Sequence, residues 1–184
     1  MKLNNNLTNG STTTSSKRKI VPPIPLERPE KKELQKGEYQ TYKLRNDPND
    51  ADSPGYKLAV PYFSTGTCEE WLNFLKNLEK VFKGQGVTSG PGQYTVARRL
   101  LEGEALSTFN NTATLQNAET VANFKLCVEA VTKSIFPTRA VLLQKRFMRR
   151  YLRKPASMKT REYVARLVEL NNYIPKFPPT AGNG

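Results

Sequence analysis

From Tyr56 onward, large apolar residues recur at intervals of three and four, the spacing that gathers them on one face of an α-helix turning 100° per residue. Trp71, Phe74, Leu75, Leu78, Val81 and Phe82 fall in one narrow arc. Thr67 with Glu70 forms a capping box ahead of them, so a helix is predicted from Thr67 to about Lys83. Gly84 and Gly86 should end it, because glycine reaches the left-handed conformation that a helix C-terminus favours. Pro91 opens a second helix to about Glu102, with Tyr94, Ala97, Leu100 and Leu101 inward and Gly103 as its break. A short helix from Glu104 to Phe109 follows, then a polar loop of Asn and Thr. Val121, Phe124, Val128, Val131 and Ile135 stripe the next, roughly Ala118 to Ile135, closed by Phe136 and Pro137.

A basic helix comes after Pro137 and stops before Pro155. Ser157 can cap a last helix, Met158 to Tyr173, whose stripe is Tyr163, Leu167, Leu170 and Ile174 and which Pro175, Pro178 and Pro179 terminate. Tyr56 to Phe63 is a short extended run broken by Pro61, suited to an edge segment laid on the core. The expected fold is therefore an all-α bundle of five to six helices with short loops and no parallel sheet. Residues 1–55 hold few large apolar side chains and no sustained period, so they read as a disordered, Pro-containing basic arm. Residues 56–179 read as the helical domain and 180–184 as a tail.

Charge sharpens this picture. The 184-residue chain carries a formal net charge of +13, and the excess sits in the foldable part: residues 57–184 hold 19 Lys/Arg against 9 acids, residues 1–56 hold 10 against 7. Anionic partners are expected. Cys68 and Cys127 are the only cysteines and histidine is absent, which removes the usual zinc ligands and implies no metal or cofactor. Both cysteines lie on helical patterns and read as buried reduced thiols. No apolar run approaches the ~18 residues of a membrane helix, and no signal-peptide core precedes the arm. The expected protein is soluble and cytoplasmic, without a membrane partner. Within the arm, Lys17, Arg18 and Lys19 form a thin nuclear import signal, and Lys19, Pro22 and Pro25 have the spacing of a short ligand for a Src-homology-3 groove.

Catalysis finds little support. A serine or cysteine nucleophile usually needs a histidine base, and no strand-linked glycine loop precedes a Lys-Ser/Thr pair. Glu69 and Glu70 point about 100° apart on one helix, so they cannot flank a substrate. Binding or assembly is the expected class, and no enzyme.

The segment Arg139 to Arg161 holds nine Lys/Arg and no Asp or Glu. Helical spacing sets Arg146, Arg149, Arg150 and Arg153 on one face and Ala140, Leu143, Phe147 and Tyr151 on the other. Lys145 and Lys154 extend the charge. These six cations are the predicted nucleic-acid-binding residues, a face able to neutralise phosphates with little sequence preference. Tyr151 and Phe147 are expected in the core, which leaves few stacking platforms for bases.

Several spacings occur together in one order: Pro61, Phe63, Gly66 and Thr67 running into the Trp71 helix; Ala97, Leu100, Leu101, Gly103, Ala105 and Phe109; Phe124, Phe136 and Pro137; then Tyr163 and Leu170. Over residues 57–179 this order resembles the Gag capsid region of long-terminal-repeat retrotransposons, gypsy-like elements especially. The resemblance implies a helical capsid module that self-associates into a shell around element RNA. Phe109 stands where the family commonly has Trp, and no Cys/His zinc knuckle, second capsid lobe or Asp-Ser/Thr-Gly protease motif follows. Lys2 does not allow N-myristoylation. Gly184 reads as a truncation point of a longer Gag, or as the end of a Gag-derived protein. The competing expectations are a host-adopted Gag derivative acting as an adaptor for peptides, and a stand-alone basic nucleic-acid-binding domain.

Overall fold

The computed structural model describes residues 20–30 and 32–179. The import signal, Lys19 of the Src-homology-3 pattern and the 180–184 tail lie outside the described residues.

The fold is mostly helical. Its helices are α1 (Cys68–Gln85), α2 (Gly90–Leu100), α3 (Gly103–Thr114), α4 (Val121–Ile135), α5 (Ala140–Arg150) and α6 (Thr160–Tyr173), with a 3-10 turn at Ile174–Lys176. A purely all-α fold is corrected by an antiparallel hairpin of β1 (Tyr39–Arg45) and β2 (Gly55–Pro61), in register from Tyr39 opposite Pro61 to Arg45 opposite Gly55. β2 is the extended run expected from Tyr56, whereas β1 falls within the residues read as disordered. The hairpin forms because Tyr42, Leu44 and Val60 bury their side chains and Leu58 half-buries beside them, alternating with exposed Lys43, Arg45 and Ala59. Its connecting loop is held by Asn49 N–H donating to Asp47 (2.9 Å) and Asp47 N–H donating to the Ser53 hydroxyl (2.9 Å).

Local chemistry sets the helix ends. Thr67 and Glu70 form the predicted capping box, and Gly86 closes α1 in the left-handed conformation (φ 66°). Gly84 lies inside the helix, where a Cβ would come within 2.8 Å of the Leu44 side chain, so it is the seat of the hairpin rather than a helix stop. α3 runs on through the Asn and Thr residues expected to be loop. α6 starts at Thr160 after Lys159, with no side-chain cap, so Ser157 does not serve as one.

Three aromatic groups fill the interior. Trp71 stacks on Phe74 at 5.4 Å and meets Phe63 at 5.0 Å, while its indole N–H donates to the Thr132 hydroxyl (2.9 Å). Tyr94, Phe109 and Phe124 meet edge-on at 5.4–5.8 Å. Phe136 packs against Phe177. Phe63 also exchanges backbone hydrogen bonds with Leu100 and Glu102, which pins the segment after β2 to the α2–α3 break, where Gly103 takes φ 50°. Cys68 and Cys127 are buried free thiols, and burial pushes the Cys68 thiol up to about 11.

Candidate functional site

Two polar constellations stand out, one on the surface of α5 and one beneath it.

The outer one is basic. Lys145, Arg146, Arg149 and Arg150 are exposed along α5, and Arg153 and Lys154 are exposed just past its C-terminus. Arg146 neighbours Arg149 and Arg150 at one-turn spacing, as Lys145 neighbours Arg149, so like charges crowd the face. Among the described residues, none of the six has an acidic partner within ion-pair distance. Arg149 and Arg150 sit in the last turn, where the helix dipole offsets part of the repulsion. The loop cations are partly committed: Arg153 donates to the Leu152 carbonyl (2.9 Å), and Lys154 donates to the carbonyls of Pro155 (3.2 Å) and Met158 (2.9 Å). Four cations therefore share a helical face, and two brace the turn that follows.

The inner face of α5 differs from its expected composition. Ala140 and Gln144 are its buried residues, Leu143 and Phe147 are half-buried, and Tyr151 is 47% exposed. The buried arc is thus turned toward Gln144. The helix ends at Arg150, so Tyr151 leaves that arc and its exposed ring lies next to Arg150 as a surface on which a base can stack.

The inner constellation was not visible in the sequence. Gln144 and Arg166 are both fully buried and both face the segment Ile24–Arg28, a bent strap without regular secondary structure that is bonded to α5 and α6. The Gln144 amide accepts from Ile24 N–H (2.9 Å) and donates to the Ile24 carbonyl (3.0 Å), as a neighbouring β-strand would. The Arg166 guanidinium donates to the carbonyls of Leu26 (2.9 Å), Pro25 (2.9 Å) and Glu27 (3.4 Å). It also forms a forked pair with Glu69 (2.6 and 2.7 Å) and reaches Glu169 (2.9 Å). Arg28 at the strap's end pairs with Glu169 at 2.8 Å. Ile24 and Leu26 are buried, while Pro25 between them is exposed. Disorder is therefore corrected for this segment as well: side-chain donors from two distant helices replace the secondary structure it lacks. Pro25 of the Src-homology-3 pattern belongs to this strap, and its carbonyl is taken by Arg166.

Electrostatics lock the cluster. Burial works against the Arg166 charge, but its bonds to Glu69 and Glu169 outweigh that and raise its pKa. Burial likewise opposes ionisation of Glu169, yet Arg166 and then Arg28 hold its carboxyl below the ordinary value. Tyr173, whose hydroxyl reaches Glu69 (3.3 Å) and Glu169 (3.4 Å), is pushed up to about 12 by burial and by those two carboxylates.

Elsewhere, an open groove lies between α1, the segment after β2 and the residues following the strap, lined by Glu30, Leu34, Tyr62 and Phe74. Among the described residues no helix is long and apolar enough to cross a membrane. No cluster of three or more metal-ligating side chains occurs there either. No family model, curated protein or solved structure matches the chain.

Proposed function

We propose that this chain is a retrotransposon Gag-like capsid module that associates with copies of itself and contacts RNA without sequence preference through α5. The observation that carries the RNA reading is the exposed face of Lys145, Arg146, Arg149 and Arg150, free of acids among the described residues and flanked by exposed Tyr151. Like charges one turn apart destabilise an isolated helix by about 0.2–0.5 kcal/mol per pair, a cost that a bound polyanion removes. The Gag reading draws support from where its residues lie: Phe63 on Trp71, Leu100 and Leu101 buried, Gly103 at the α2–α3 break and Phe136 capping α4. Self-association through the basic face would set like charges against each other, so that face is assigned to RNA and assembly to another surface.

Changing Lys145, Arg146, Arg149 and Arg150 together to Gln tests the interface. Each lost contact with a single-strand phosphate lowers the slope of log affinity against log salt by about 0.7, so four should flatten it by roughly three. An affinity and slope equal to those of the unaltered chain would reduce the basic face to solvated surface. Light scattering at high concentration, with and without RNA, tests assembly. A monomer under both conditions refutes it.

A further inference from the structure

The strap is held in an unusual way. It forms no helix or strand, and its main-chain groups are read by two buried side chains 120 and 140 residues away, Gln144 and Arg166. Such a receptor is a peptide site in its own right. With the strap absent, the Gln144 amide and three of the Arg166 donor bonds lose their partners inside the fold, so the site favours occupation. The strap joins the body through a connector whose residues Glu30 and 32–38 are all exposed. At its far end the Glu38 carbonyl accepts from Tyr62 N–H (3.0 Å), just where β1 begins. Ten residues from Pro29 to Glu38 can reach about 33–36 Å when extended, enough to deliver the strap to an adjacent body.

We infer that the α5–α6 groove accepts the Ile24–Arg28 strap of a second copy of this chain, so that two copies exchange straps in a closed, two-fold symmetric dimer. This deepens the assembly reading and rests on it, because it names the surface through which copies associate. The occupant follows from the geometry. A second copy brings the same Ile24 and Leu26 side chains to the same pockets, the same carbonyls to Arg166 and the same Arg28 to Glu169. Every bond of the closed monomer recurs in the exchanged pair, and only the connector changes course. The groove also offers one opposite charge to the strap of a chain whose net charge is +13: Glu169 pairs with Arg28 at 2.8 Å. A foreign peptide would have to reproduce both apolar side chains and the arginine four residues after the first.

Complementation of two damaged full-length chains tests the exchange. Ile24→Asp/Leu26→Asp spoils the strap and keeps the groove, while Gln144→Leu spoils the groove and keeps the strap. Each alone should scatter light as a monomer at concentrations where the unaltered chain is dimeric, and an equimolar mixture should regain dimers containing one of each. Dimers formed by the strap variant alone, with helix content and a cooperative melt intact, overturn the proposal. Should either variant fail to fold, a synthetic peptide of residues 20–30 is added to the unaltered chain. Conversion of dimer to monomer supports exchange. A dimer unmoved by the peptide, or dispersed equally by its scrambled sequence, overturns it. An unaltered chain that forms larger assemblies while the peptide has no effect refutes strap exchange and leaves the assembly reading standing. A chain that never leaves the monomer refutes both.

Discussion

Arg166→Leu is the most informative single change in this molecule. The guanidinium is wholly buried, and its bonds to Glu69 at 2.6 and 2.7 Å leave that carboxylate only 3% exposed. Removing it strands a buried charge, which costs about 3–5 kcal/mol when one partner of a buried pair is lost. The Tyr173 hydroxyl still reaches Glu69 at 3.3 Å and softens the loss slightly. The carbonyls of Pro25, Leu26 and Glu27 lose their donor together, but the strap can lift and return them to water. The cost therefore stays near the buried-pair value, a large part of a net stability of ~5–15 kcal/mol. For a domain of this size it lowers Tm by about 6–20 °C. Urea unfolding of the unaltered chain, Arg166→Leu, Glu69→Leu and the double variant measures it. The double variant should be damaged less than the sum of the singles by ~1–3 kcal/mol, because leucine at both positions leaves no orphaned charge. Arg166→Leu within about 0.5 kcal/mol of the unaltered chain, or singles that simply add, would refute the reasoning.

Two other outcomes follow from the packing and from the charges. Gly90→Ala should abolish or severely weaken folding, since its Cβ would overlap the Glu119 carbonyl oxygen and the Thr120 backbone, neither of which can rotate away; a melt within a few degrees of the unaltered chain counts against the α2–α4 geometry. Glu169 is held below its ordinary value of 4.5, so its contribution is complete above that pH and is lost as pH falls through the lower folded value. Stability measured on acidification should drop less steeply in Glu169→Gln than in the unaltered chain, and identical profiles would show that the carboxylate does not hold the strap.

The helical part of the fold was legible because its information lies in spacing. Trp71, Phe74, Leu78 and Val81 on α1, Tyr94, Ala97 and Leu100 on α2, and Phe124 and Val131 on α4 are buried where their period places them. The hairpin carried a fainter signal, the two-residue alternation of Tyr42 and Leu44 with Lys43 and Arg45, too short to stand out in a polar arm. The strap carried almost none. Its apolar content is Ile24 and Leu26, and its binding runs through carbonyl oxygens that every sequence possesses. The side chains that hold it, Gln144 and Arg166, are of types that usually face water. Arg146, Arg149 and Arg150 are exposed on α5, whereas helical spacing carried through to Arg153 and Tyr151 overruns the helix: it ends at Arg150, Tyr151 is exposed and Leu152 is buried in the next turn.

The distance along the chain between the strap and its receptor also sets an order of events during synthesis. Pro25 leaves the ribosome 141 residues ahead of Arg166. At ~5–20 residues per second the strap waits about 7–28 s for the groove that receives it, while α1 to α4 can already be collapsing. Over that interval Ile24 and Leu26 are exposed on every nascent chain of a shared message, and the first complete groove to appear belongs to whichever neighbour started earlier. If straps are exchanged as inferred above, this lag gives a finished groove on an earlier chain the chance to compete for the strap of a later one.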